Sequence, residues 1–324
     1  MSRATPWDNI GNPDADYNVR LVAGAGRIPV FWGKDIDGAC LLVIELEGDH
    51  SAQFRKDGAY SVHGIGVDLR QGDEPRRQRL ILTLEKHVDR DLFFGLCETL
   101  IASLAPVVDS AAALTVALTH IRRWKAFLAG RKTRMLSPEE VRGLFAELRF
   151  LQSLYQSRLP QPAALEAWCG ADGIHQDFIF GDTAVEVKSL SGRERNAVRI
   201  SSEDQLEGLA SNLFLMVYRL SDMPESDRAL SLNDLIRAIE QELSDADALE
   251  QFSRKVAAYG YAPLADYDLP RFLVSSVQPY RVADGFPRLI RSLVPQGIAR
   301  LSYDIELEAI RPFECDDAQI LGRP

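Results

Sequence analysis

Cysteine is scarce in this chain. Its four residues, Cys40, Cys97, Cys169 and Cys315, are scattered over 324 positions. They make no CxxC pair and no zinc-ligand spacing, so a cysteine-built metal centre or a disulfide framework is excluded as an organising feature. Scattered thiols fit a reducing compartment, with the sulfurs as buried bystanders. No apolar run is long enough to span a bilayer. The opening Met1-Ser-Arg-Ala-Thr-Pro-Trp7 has no signal-peptide core. Together these absences predict a cytoplasmic protein with no membrane partner. Basic residues are also outnumbered, 37 against 47 acidic, for a net charge of −10. That counts against a sequence-blind coat on nucleic acid, though not against an enzyme with a local basic path. A nucleotide loop is missing as well, because Val22-Ala-Gly-Ala-Gly26 is too short and badly placed for a dinucleotide or phosphate-loop motif. No internal repeat or low-complexity segment stands out.

What remains is an ordinary globular composition, 46% hydrophobic and 26% charged. The length suits two domains or one large one. Residues 1–88 read as mostly β, with strand-like runs at Ile28 to Trp32, Ala39 to Leu46, Tyr60 to Leu69 and Leu80 to Leu84. Residues 90–131 carry helical spacing (Leu92, Leu96, Leu100, Leu104), interrupted at Pro106. The boundary falls at Gly130 to Leu136. This divides the chain into 1–131, 137–220 and 221–324. Two basic patches stand out, Arg122-Arg123-x-Lys125 with Arg131, Lys132 and Arg134, and Arg193, Arg195 and Arg199. Each reads either as a solvated face or as a phosphate track.

Ser137-Pro-Glu-Glu140 is a helix start, with Ser137 as N-cap, Pro138 in the first turn and Glu140 completing a capping box. The apolar stripe that follows places Glu147 on its margin, where a carboxylate is costly unless paired or metal-linked; a boundary residue that snorkels to water fits the same spacing, and Gln152 also falls inside the stripe. Next comes His175-Gln-Asp-Phe-Ile-Phe-Gly-Asp-Thr-Ala-Val-Glu-Val-Lys188. With Gly181-Asp182 as a two-residue loop, Phe180 faces Thr183, Phe178 faces Val185, Asp177 faces Glu186 and His175 faces Lys188. One face is then apolar (Phe178, Phe180, Thr183, Val185, Val187) and the other carries His175, Asp177, Glu186 and Lys188. Like charges opposed across strands are destabilising, and a divalent cation reverses that sign. A solvated hairpin face neutralised by Lys188 satisfies the same spacing. Ser202 to Gln205 reads as a further capping box, which explains Gln205 structurally; contact with a substrate backbone is the functional alternative. Leu213 to Tyr218 reads as a buried strand, 226–258 as two amphipathic helices, and 271–279 and 297–312 as closing strands. The order is helix, strand, strand, helix, strand, a small α/β core within an α+β chain.

Glu147 on a helix, Asp177 on one strand and Glu186-Val-Lys188 on the next resemble the PD-(D/E)XK phosphodiesterase superfamily. Gly143-Leu-Phe-Ala-Glu147, Trp168-Cys-Gly170, His175-Gln-Asp177-Phe, Glu186-Val-Lys188-Ser, Ser202-Glu-Asp-Gln205 and Leu301-Ser-Tyr-Asp-Ile305 resemble an uncharacterised bacterial branch of it, associated with restriction and phage-defence loci. Gln176 stands where the superfamily name has proline, a position that varies widely. The resemblance implies a restriction-endonuclease-like core, a mixed β-sheet flanked by helices, preceded by a β-rich N-terminal domain. It also implies Mg²⁺-dependent hydrolysis of nucleic-acid phosphodiesters, with Mn²⁺ able to substitute and DNA preferred over RNA. Asp177, Glu186 and Glu147 would be metal ligands, Lys188 would be catalytic with them, and Gln205, His175, Arg193, Arg195 and Arg199 would bind substrate. A catalytically silent subunit that recruits nucleic acid or a partner protein of a defence system is the alternative.

Overall fold

The computed structural model describes residues 4–56, 61–62, 64–85, 88–128, 134–170, 176–192, 196–207, 212–298 and 301–322. The chain forms two compact units, Met1–Met135 with Gly260–Asp266, and Leu136–Tyr259 with Tyr267–Pro324.

The first unit is a six-stranded antiparallel sheet with helices. Its elements are β1 (Tyr17–Leu21), β2 (Val30–Asp35), β3 (Cys40–Glu47), α1 (Ser51–Lys56), β4 (Ser61–Val62), β5 (Ile65–Gln71), β6 (Arg77–Leu84), α2 (Arg90–Leu104) and α3 (Ser110–Leu128). The strand order is β1-β2-β3-β6-β5-β4. β3 is buried from Cys40 to Leu46 and apolar on both faces except at Glu45, whose carboxylate is met by Arg77 and Arg79 of β6. The single strand expected over Tyr60 to Leu69 is instead two. Gly64 takes φ +79°, a turn that L side chains resist, and separates β4 from β5; Tyr60 lies outside the described residues. The strand β1 and the helix α1 were not anticipated: β1 alternates over only five residues, Tyr17-Asn-Val-Arg-Leu21, and α1 is a short, mostly polar helix.

The second unit contains α4 (Pro138–Ser157), α5 (Gln161–Ala167), β7 (Phe178–Phe180), β8 (Thr183–Ser191), β9 (Ala197–Ile200), β10 (Asn212–Asp222), α6 (Leu232–Glu242), α7 (Ala246–Tyr259), β11 (Phe272–Arg281), β12 (Tyr303–Glu306) and the short helices α8 (Leu307–Ile310) and α9 (Ala318–Leu321). The anticipated capping box starts α4. Ser137 Oγ accepts from the Glu140 N–H (3.3 Å) and Glu140 Oε2 accepts from the Ser137 N–H (2.8 Å). The sheet is mixed, in the order β11-β10-β8-β7, with β8 and β10 parallel and the outer pairs antiparallel. β9 and β12 form a separate antiparallel ribbon. Two expectations fail here. The second helix expected at Ser202 to Gln205 is one 3₁₀ turn, Glu203–Leu206, because Ser202 caps Asp204 N–H (3.2 Å) and the chain does not continue. The closing strand expected over 297–312 is only β12, after which the backbone coils into α8.

The hairpin register is as the turn chemistry requires. Gly181 takes φ +56°, and Phe178↔Val185, Ile179↔Ala184 and Phe180↔Thr183 are paired. Phe178 packs edge-on against Phe150 of α4, with ring centroids 4.7 Å apart, so the apolar face of β7–β8 lies under that helix. The opposite face of the sheet contributes Ala184, Leu213, Leu215 and Val217 to a core shared with Val198, Ile200 and Ile305. Phe178 is fully buried, whereas Ile179 is 37% exposed. Phe178→Ala is therefore expected to cost about 3–5 kcal/mol in urea unfolding, and Ile179→Ala under about 1 kcal/mol. Equal costs would mean the hairpin faces are misassigned.

Candidate metal centre

The β7–β8 ladder stops at Phe178↔Val185. Asp177 is therefore not a regular cross-strand partner of Glu186, contrary to the extended pairing. Its carbonyl oxygen accepts from the N–H groups of Cys169 (2.7 Å) and Gly170 (3.1 Å), which tie the 168–170 segment alongside it. Its carboxylate turns inward, and Oδ2 accepts from the Val187 N–H at 2.8 Å. The donor left open by the end of β7 is thus taken by the first acid of the motif.

Glu186, on the next position of β8, is 1% exposed. Its Oε1 meets Lys188 Nζ at 2.7 Å, while Oε2 is buried without a hydrogen-bond partner. A buried carboxylate oxygen with no partner costs on the order of 1–3 kcal/mol, and more when charged. Lys188 Nζ also reaches Gln205 Oε1 (3.2 Å), and the same oxygen accepts from the Ser201 N–H (2.8 Å). Gln205 thus serves the lysine and the neighbouring loop in place of the capping box expected of it. Glu147, 5% exposed on α4, accepts from Tyr259 Oη at Oε1 (3.0 Å) and from Trp168 Nε1 at Oε2 (2.8 Å). A Cβ placed on Gly170 would lie 2.4 Å from Glu147 Oε2 and 3.2 Å from Asp177 Oδ1. The two carboxylates therefore flank one small space beside that glycine.

Burial raises the pKa of all three acids. For Glu147 burial is the largest cause and the Asp177 charge adds to it, against the bonds from Trp168 and Tyr259. Asp177 rises to about 6, burial outweighing the Lys188 charge and the Val187 N–H. Glu186 rises to about 8 through burial and the Asp177 charge, with Lys188 opposing. Burial works against the Lys188 ammonium, but Glu186 and Asp177 outweigh it and hold its pKa above the ordinary lysine value. Lys188 is therefore a charged donor at neutral pH.

Among the described residues, His, Cys, Asp and Glu side chains do not form a ready-made group of three around one point. The donor set nevertheless fits a hard divalent cation. Glu186 Oε2 is an unanswered buried oxygen, Asp177 and Glu147 both crowd the side of Gly170 where a Cβ would stand, and each carboxylate oxygen retains acceptor capacity beyond its present bond.

Of the other anticipated residues, His175, Arg193 and Arg195 lie outside the described residues. Arg199 is exposed on β9 and donates to Ser302 Oγ (3.4 Å), not to the carboxylate cluster. Of the first basic patch, Arg122, Lys125 and Arg134 are exposed and belong to the first unit, while Arg131 and Lys132 lie outside the described residues. Three contributors were given no role by the sequence. Gln176 is 6% exposed and its Nε2 donates to the Asp204 carbonyl (2.8 Å), which pins the turn that carries Gln205. Trp168 and Tyr259 hold Glu147; Trp168 stood inside a recognisable motif, but Tyr259 lies 112 residues beyond Glu147 with no local signal.

The raised acids set a sign for stability against pH. Their reference values are 3.8 for Asp and 4.5 for Glu, so between about pH 4.5 and pH 8 the folded metal-free chain binds more protons than the unfolded one. Its stability then falls as pH rises through that window. In metal-free buffer, Glu186→Gln is expected to shrink the stability lost between pH 5 and pH 8 by about 1–3 kcal/mol, as read by urea unfolding. An unchanged or steeper loss would contradict the electrostatic account.

A family model described as "Putative PD-(D/E)XK family member, (DUF4420)" matches residues 4–308. Comparison with curated proteins gives no match, and neither does comparison with solved structures.

Proposed function

The chain belongs to this family, and on that premise we propose that it is a divalent-metal-dependent endonuclease that hydrolyses phosphodiester bonds of nucleic acid, DNA in preference to RNA. The observation that carries the reading is Glu186, a buried carboxylate with one oxygen on Lys188 and the other unanswered, next to the inward-turned Asp177. A structural ion pair with Lys188 gives that second oxygen no use. A cation site uses it.

Asp177 and Glu186 would hold Mg²⁺, or Mn²⁺ in its place, together with the Val187 carbonyl. Glu147 would serve as a further ligand or as acceptor for a bound water. When bound, such an ion supplies Lewis acidity that lowers the pKa of a water and offsets charge on the scissile phosphate. The chain's own contribution is positional. Lys188, kept charged by Glu186 and Asp177, donates to a phosphate oxygen and to the attacking water and does not accept its proton. Gln205 fixes the direction of that ammonium. The water gives up a proton to bulk solvent as its oxygen bonds to phosphorus, the ester P–O bond breaks, and the leaving oxygen takes a proton from solvent. His175, Arg193, Arg195 and Arg199 would contact the substrate backbone. With a net charge of −10, general attraction to a polyanion is weak, so binding rests on such local groups or on a partner protein. Resemblance to the restriction- and phage-defence-associated branch suggests the setting in which that partner occurs.

The test offers linear, circular and single-stranded DNA, and RNA, with Mg²⁺ or Mn²⁺. Cleavage is expected with wild type and is expected to fall on the order of 10³-fold in Asp177→Ala, Glu186→Ala and Lys188→Ala, since several kcal/mol of transition-state stabilisation at about 1.4 kcal/mol per decade is removed. Cleavage that survives in Asp177→Ala and Lys188→Ala would overturn the assignment.

A further inference from the structure

The frame around Glu147 includes a helix that carries none of the recognised motif. Tyr259 is the last residue of α7, and its hydroxyl donates to Glu147 Oε1 at 3.0 Å. One turn earlier on the same helix, Lys255 is 7% exposed and its Nζ donates to the Trp168 carbonyl oxygen. Trp168 in turn donates through Nε1 to Glu147 Oε2 at 2.8 Å. Residues four apart share a helix face, so one face of α7 grips both the Glu147 carboxylate and the strand segment that leads to Gly170. With each oxygen on its own donor, Glu147 is held in one rotamer.

Gly170 has a separate reason to be glycine. It is not among the positive-φ residues, so the backbone does not require it. The space does, because a Cβ there would stand 2.4 Å from Glu147 Oε2 and 3.2 Å from Asp177 Oδ1. The missing side chain makes room for the Glu147 carboxylate to sit beside Asp177. By contrast, a Cβ on Gly143, one turn before Glu147, would make only an ordinary 3.5 Å contact with Tyr259 Oη.

We propose that Tyr259 and Gly170 set the cation affinity of this centre. Tyr259 is a positioning residue that, with Trp168, fixes Glu147 opposite Asp177, and Gly170 keeps the space between the two acids open for the ion. The proposal rests on the reading of the site as a metal centre.

Mn²⁺ binding separates the two. The full chain is titrated with MnCl₂ by calorimetry and by electron paramagnetic resonance, in parallel with metal-free thermal unfolding. Partners that orient a ligating group without touching the ion are worth about 10–100-fold in affinity. Tyr259→Phe keeps the ring and is expected to bind Mn²⁺ about 10–100-fold more weakly, with metal-free stability somewhat lowered because Glu147 Oε1 loses its donor, but with a cooperative unfolding transition retained. Gly170→Ala is expected to abolish measurable binding while remaining folded. If wild type binds Mn²⁺ and both variants bind it equally well, the proposal is wrong and the metal-centre reading stands. If wild type itself does not bind Mn²⁺, the metal-centre reading fails and takes the proposal with it.

Discussion

Gathering Glu147, Asp177 and Glu186 away from water, with Lys188 as the nearby cation, costs folding free energy, and the second unit is arranged around that cost. Each acid is met by a different device. Asp177 satisfies the N–H that β7 leaves open on β8. Glu186 shares Lys188 with Gln205, and Glu147 takes donors from a tryptophan and a tyrosine on two other elements. These bonds reduce the penalty without removing it, as the raised pKa values of all three acids show. A fold that needed only stability would have used apolar residues of the same volume. The proposed divalent cation would offset that retained cost.

The scaffold explains how this cost is carried. β8 lies between a parallel and an antiparallel neighbour, so Glu186 and Lys188 sit on a strand whose register is fixed from both sides. α4 packs across the apolar face through Phe150 and Phe178 and brings Glu147 with it. The turn at 203–206, one 3₁₀ turn, is held by Gln176 from one side and by Arg288 Nη1 on the Leu206 carbonyl (2.7 Å) from the other. Gln205 can therefore direct Lys188 from a segment with little regular structure of its own. Residue 176, where the superfamily name has proline, has in this chain acquired a tethering amide.

Local chemistry was legible and distant chemistry was not. The capping box of α4, the Gly181-Asp182 hairpin and the positions of Glu186 and Lys188 on one face follow from rules that act within a few residues; the order of elements pointed to an α/β core, and the mixed sheet came from the family resemblance. The places where reading failed share a cause. Gly64 breaks a run that alternates well enough to pass for one strand, and Ser202 begins a helix-like signal that tertiary contacts cut short after one turn. Asp177 was expected to pair across the strands because nothing local reveals that the 168–170 segment competes for its backbone. The hold of Tyr259 on Glu147 is invisible to any periodic pattern, since it exists only once α7 packs beside α5.

The central claim is the proposal that Asp177 and Glu186, with Glu147 nearby, hold a divalent cation. Its most direct test is a crystal soaked in Mn²⁺ and measured for anomalous scattering. The account predicts a single strong peak in bonding distance of Asp177 Oδ1 and Glu186 Oε2, the open oxygens of the two acids. Ordered water alone at that position, or Mn²⁺ bound only elsewhere on the surface, would contradict it.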